Sequence, residues 1–159
     1  MNIKIICLGK LKEDYLKAGI SEYCKRISKY ANIEIIELPD EQIPDNPSEK
    51  EIEQIKQKEA EKIKAKISAR DFIISLDLTG TQLSSEDLAQ KIDDITNQGY
   101  STITFIIGGT VGLEKNIVKQ SNYVLSFSKL TFPHQLIRLF LTEQLFRCFK
   151  ILNNERYHW

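Results

Sequence analysis

Ile103-Thr104-Phe105-Ile106-Ile107 is a short apolar run rich in β-branched residues, and it passes without a break into Gly108-Gly109-Thr110-Val111-Gly112-Leu113. The run has the length and composition of a buried strand. Glycines at its end permit a positive φ or a close approach of a ligand to backbone amides, both closed to β-branched residues. Taken alone they are equally a tight turn between strand and helix, because neither GxGxxG nor GxxxxGK[ST] is present to mark a dinucleotide or phosphate loop.

Downstream, Glu114 to Gln120 reads as a short helix and Tyr123 to Phe127 as a second strand, which enters Ser128-Lys129-Leu130-Thr131-Phe132-Pro133-His134. The helix that follows, Gln135 to Leu152, has a narrow polar stripe. Its apolar girth exceeds what one sheet face covers, so a homodimer is expected to bury it, with Leu141 and Phe149 as positions where lysine would disrupt that dimer.

Upstream, Asn2 to Leu8 is an apolar strand ending in the basic loop Gly9-Lys10-Leu11-Lys12. Leu16, Ile20, Tyr23 and Ile27 mark one helix face running to about Tyr30, and Ile33 to Leu38 is the next strand. Ser48 and Glu51 form a capping-box signature for a helix reaching about Ile67. Glu59 interrupts its apolar side, either as a buried acid orienting an arginine or as a carboxylate reaching water or a lysine. Phe72 to Leu78 is a strand that leaves through Thr79-Gly80-Thr81-Gln82, and Ser84 caps a helix with Leu88, Ile92 and Ile95 inward, ending at Gly99. The alternation predicts an α/β domain over residues 1–159, with a mainly parallel sheet flanked by helices. Ligands in such sheets lie beyond the carboxyl ends of strands, where the exits after Leu78, Ile107 and Phe127 converge.

The chain has 159 residues, with 22 basic against 22 acidic side chains, which argues against a general polyanion binder. The charges are segregated: residues 1–30 hold seven basic and three acidic side chains, residues 37–61 three and nine, and residues 129–159 five and two. Basic ends suit either a limited RNA contact or a solvated helix. Cys7, Cys24 and Cys148 have no metal-ligand spacing and read as reduced thiols, so no metal is expected. No apolar run approaches membrane length and the N-terminus reads as a strand; a cytoplasmic protein is the default expectation.

Three runs, Ile106 to Leu113 (IIGGTVGL), Leu125 to Arg138 (LSFSKLTFPHQLIR) and Asn153 to His158 (NNERYH), together resemble the RlmH-type rRNA methyltransferases of the SPOUT superfamily. The resemblance implies a C-terminal trefoil knot, S-adenosylmethionine (SAM) as methyl donor, a homodimer, and N3-methylation of a pseudouridine in helix 69 of 23S rRNA on the ribosome. Carried over position by position, the cofactor pocket comprises Leu76, Gly108 and the block Phe127, Ser128, Lys129, Leu130, Thr131 and Phe132, with Gly109 beside it. The chemistry agrees with those types. Adenine favours an apolar slot edged by backbone amides, and a sulfonium tolerates no adjacent cation.

Methylation of a pseudouridine nitrogen requires loss of the imide proton, which a histidine of ordinary pKa, about 6.5, takes near neutral pH. His134, at a helix start after Pro133, is expected to fix that turn. The tail is either a frayed terminus or a site, and the resemblance favours a site, with His158 as the base and Tyr157 stacking on or bonding the target. Arg138, Arg147 and Arg156 are expected to meet RNA phosphates or to form surface ion pairs. Phe146 stands where the family usually has tyrosine, Arg156 where it has proline, and Trp159 where a basic residue often ends the chain. A catalytically silent ribosome-binding module of the same fold is the competing expectation, with an α/β nucleotide-binding protein behind it.

Overall fold

The computed structural model describes residues 1–157. Ten elements alternate along them: β1 (Asn2–Leu8), α1 (Asp14–Ile27), β2 (Asn32–Leu38), α2 (Glu49–Lys64), β3 (Phe72–Gln82), α3 (Ser85–Asn97), β4 (Thr102–Ile107), α4 (Lys115–Gln120), β5 (Tyr123–Ser126) and α5 (His134–Leu152). The strands form one sheet in the order β2-β1-β4-β3-β5, and every pairing is parallel.

Local chemistry sets the helix starts. Ser48 Oγ accepts from Glu51 N at 3.1 Å while the Glu51 carboxylate accepts from Ser48 N at 3.2 Å, so the capping box opens α2 as expected. Ser84 caps α3 in the same way through Asp87 N at 3.0 Å. Glu114 caps the single long turn of α4 by accepting from Asn116 N and Ile117 N.

Strand periodicity then divides the core. Ile3, Ile5 and Cys7 of β1, with Ile103, Phe105 and Ile107 of β4, pack with Ile27 of α1, Leu88 and Ile92 of α3, and Leu141 and Leu145 of α5. Ile6, Leu8 and Ile106 point to the other face and meet Ala60 and Ile63 of α2 and Ile117 of α4. The sheet is thus covered on both faces, which is why its central strands are continuously apolar.

Two expectations are corrected. β3 does not stop at Leu78; it runs to Gln82 and throws out residues 77–80, because Leu76 and then Thr81 both pair with Leu125. Gly80 lies flush against β5 there, with an added Cβ only 2.7 Å from the Val124 and Leu125 backbone. In α5, Leu141 is fully buried and Phe149 is 6 % exposed within the single chain, so neither side chain is left for a second subunit. α1 and α3 of the same chain supply the cover that one sheet face could not, leaving Phe140 at 37 % exposure.

Candidate active site

Because β4, β3 and β5 are neighbours and parallel, the segments leaving their carboxyl ends meet. After β4 the chain makes a tight turn in which Gly112 N donates to Gly109 O at 3.1 Å, and Gly112 takes the left-handed region at φ 82°. A Cβ on Gly108 would stand 2.9 Å from Gly112 C and 3.0 Å from Leu113 N. Gly108 is therefore required by the loop closing on itself, before any ligand arrives. After β5, Ser126 Oγ donates to Ser128 O and Leu130 N donates to Ser128 Oγ, both at 3.0 Å, folding residues 126–130 into a compact turn.

Between the two turns lies a cleft of about 350 Å³. Leu76, Gly108 and Gly109 line one side of it. Phe127, Ser128, Leu130, Thr131 and Phe132 line the other. Lys129 is exposed and stands outside the wall, a departure from its expected place in the pocket that leaves no lysine or arginine among the described residues of the cleft. Two titratable residues of the lining were not anticipated. Asp77 sits in the excursion of β3, legible only as an Asp-x-Thr turn signal, and His134 faces the cleft instead of capping α5, whose first turn has no side-chain cap. Burial and the neighbouring Arg138 guanidinium hold the His134 imidazole below its ordinary pKa, so it is neutral at physiological pH.

Arg138 is a further correction. It is fully buried, donates to Glu37 Oε2 at 2.6 Å and to Gly9 O at 3.2 Å, and is turned away from any phosphate. Leu11 N donates to the same Glu37 oxygen and Lys12 N to Gln135 Oε1, so Arg138 ties the loop after β1 to the start of α5. Glu59 is 4 % exposed and pairs with no arginine among the described residues. Its Oε2 accepts from Glu41 N at 3.1 Å, its Oε1 has no hydrogen-bond partner among the described residues, and the carboxylate lies 3.6 Å from where a Gly109 Cβ would be. Burial raises its pKa above the ordinary range, opposed by the Glu41 amide.

The tail is elsewhere. Tyr157 packs its ring edge on Phe146 at 4.8 Å, donates to Glu143 Oε1 at 3.1 Å, and lies under the Arg147 guanidinium. Arg147 also pairs with Glu143 along α5. Neither Tyr157 nor Arg147 lines the cleft of its own chain; Arg156 is exposed, and His158 lies outside the described residues. A larger apolar groove of about 600 Å³ runs from Tyr23 and Glu143 past α3 to Phe127 and Phe132, which it shares with the cleft.

Burial raises the thiols of Cys7 to about 11 and Cys148 to about 12, leaving both unreactive. Among the described residues no cluster of His, Cys, Asp and Glu could hold a metal ion, and no helix is long and apolar enough to cross a membrane.

Comparison with known proteins adds four findings. A family model described as "Predicted SPOUT methyltransferase" matches residues 1–158. The chain is 52 % identical over 158 residues to "Ribosomal RNA large subunit methyltransferase H 1" of Clostridium perfringens (strain SM101 / Type A), covering 99 % of each sequence. Among solved structures, a probable methylase family protein from Haemophilus influenzae Rd KW20 superimposes with a TM-score of 0.52 at 14 % identity, covering 99 % of this chain and 70 % of that one. A probable methyltransferase from Bordetella pertussis Tohama I does so with 0.52 at 9 % identity, covering 92 % and 95 %. At such identities these two likenesses concern the fold.

Proposed function

Because the chain belongs to the SPOUT methyltransferase family, we propose that it uses SAM to methylate large-subunit rRNA, at N3 of a pseudouridine in helix 69 of 23S rRNA. The observation that carries this reading is the cleft at the carboxyl ends of β3, β4 and β5. Its volume falls in the range of small-molecule sites, about 300–1,000 Å³. Its walls are apolar, its rims are two turns rich in backbone amides, and its titratable lining is a carboxylate and a neutral imidazole. Those features fit an adenosyl ligand with a sulfonium. Leu76, Phe127 and Phe132 exclude water from it, while the turns after Ile107 and Phe127 offer hydrogen bonds to its edges.

Bound there, SAM would supply an electrophilic methyl group. The chain itself must bring the nucleophile. His158 is assigned the proton on N3, and Tyr157 the positioning of the base. Tyr157 touches its own α5 and not its own cleft, which favours a composite site in which the tail serves the second copy of a homodimer. Exposed Phe140 and the groove continuous with the cleft are the surface we assign to that copy. Arg147 and Arg156 remain the arginines proposed for RNA phosphates; with Arg138 buried, exposed Lys10 and Lys12 on the loop it holds join them. The trefoil knot and a cytoplasmic location belong to the same reading.

The test is transfer of labelled methyl from SAM to free 23S rRNA, separated subunits and whole ribosomes from a strain lacking the gene, with the product mapped. Methyl on N3 of a helix 69 pseudouridine is the expected result. Ribosome binding without transfer to any of the three would instead support a silent module.

A further inference from the structure

Among the described residues Asp77 is the only carboxylate lining the cleft, and nothing in that wall neutralises it: Asp77 forms no ion pair there, and neither lysine nor arginine belongs to the lining. Its position is rigidly set. Residues 77–80 are expelled from the ladder between Leu76 and Thr81, and Gly80 seats the return of that excursion directly on the β5 backbone. Asp77 Oδ2 accepts from the Thr79 amide at 3.0 Å and from the Thr79 hydroxyl. Oδ1 has no hydrogen-bond partner among the described residues. An asparagine would build the same turn without a charge. Asp77 is half-buried, and a carboxylate oxygen held by the turn without a protein partner on an apolar cleft wall stands ready to receive a cation brought by the ligand.

SAM carries two cations, the sulfonium and the α-ammonium of its amino-acid end. Resting on the methyltransferase reading, we propose that Asp77 anchors the α-ammonium group of the donor through Oδ1. The choice follows from what each charge does during transfer. The sulfonium charge disappears as the methyl leaves, so a carboxylate against it would stabilise the ground state more than the transition state and slow the reaction. The ammonium charge is unchanged throughout, so a carboxylate there contributes binding and orientation alone. Asp77 is thus a residue that selects ligands with a free amino group, and it holds substrate and demethylated product equally.

Calorimetry on the full chain separates the possibilities, using SAM, S-adenosylhomocysteine and 5′-methylthioadenosine, which lacks the amino-acid end. Asp77→Asn keeps the turn acceptor and removes the charge. It is expected to weaken SAM and S-adenosylhomocysteine by the same factor, about 10- to 100-fold for loss of a charged hydrogen bond, and to leave 5′-methylthioadenosine unchanged. Thr79→Val, which loosens the turn and keeps the charge, should affect all three ligands alike and only slightly. Equal loss of all three ligands in Asp77→Asn would assign Asp77 to the turn alone; loss confined to SAM would move it to the sulfonium; no change would remove it from the site. Each of those results overturns the proposal while leaving the methyltransferase reading standing. A wild-type chain that binds neither SAM nor S-adenosylhomocysteine would overturn both.

Discussion

A single guanidinium, that of Arg138, is worth two interpretations that predict opposite experiments. As a phosphate contact it would be dispensable for folding; as the buried tie between Glu37, Gly9 and α5 it is part of the core. Removing one partner of a buried pair costs several kcal/mol when the other is stranded, but Glu37 keeps 37 % exposure and can rehydrate. Arg138→Leu is therefore expected to lower unfolding stability by about 2 kcal/mol, read from urea titration. Glu59 gives the pH test. Its folded pKa is raised, so its contribution is fully favourable below the ordinary carboxylate value, about 4.3, and is lost as pH rises through the raised value. Asp40 and Glu41 oppose its ionisation and Lys62 favours it. Glu59→Gln should gain stability relative to the wild type as pH rises from about 4 through the raised carboxylate pKa, and level off above it. An advantage that is flat across that range would mean that Glu59 ionises as readily in the fold as in the open chain.

The elements divide into those that stand on local chemistry and those set by their neighbours. α2 is of the first kind. Ser48→Ala removes one half of its capping box, so about 1 kcal/mol of stability should be lost, with SAM affinity untouched because Ser48 stands at the start of α2 and is not part of the cleft lining. The excursion in β3 is of the second kind. Gly80→Ala would put a Cβ 2.7 Å from backbone atoms of β5, which cannot swing aside as a side chain does. β5 or the excursion must move, and both bear on the cleft. Loss of about 2 kcal/mol in denaturation, together with weaker SAM binding in calorimetry, is the expected pair. Lost stability with unchanged affinity would detach the excursion from the cleft.

For the whole molecule the question is what a second copy adds. The single chain already buries Leu141, Leu145 and Phe149, so the residue that reports on a dimer is Phe140, exposed at the rim of the large groove. Phe140→Lys should convert a dimer into a folded monomer in sedimentation; a wild-type monomer at micromolar concentration would remove the dimer from the proposal. Composite sites make a sharper demand. His158→Ala should lower methyl transfer by roughly a hundredfold or more, the scale of a positioned general base, with SAM affinity intact. Gly108→Val should abolish SAM binding by opening the turn on which Gly108 packs at 2.9 Å. Mixing the two inactive chains should restore part of the activity if each tail serves the opposite cleft, and none if it serves its own.

The sequence by itself determined which segments become strands and helices, because those depend on local periodicity and caps: β1, the Ser48 box and the strand before Gly108 all stand where the pattern puts them. It also determined that loops after β3, β4 and β5 would converge, since parallel strands place all their carboxyl ends on one edge. Burial was decided only by the tertiary structure. Arg138 looks like a surface charge in a linear reading and Glu59 reads either way, and it takes the packing of α5 on the loop after β1, and of α2 beneath Gly109, to enclose them. Asp77 entered the cleft for the same kind of reason. Its place follows from a register shift against β5, a strand some fifty residues away in the chain, and no local periodicity encodes how two distant strands will pair.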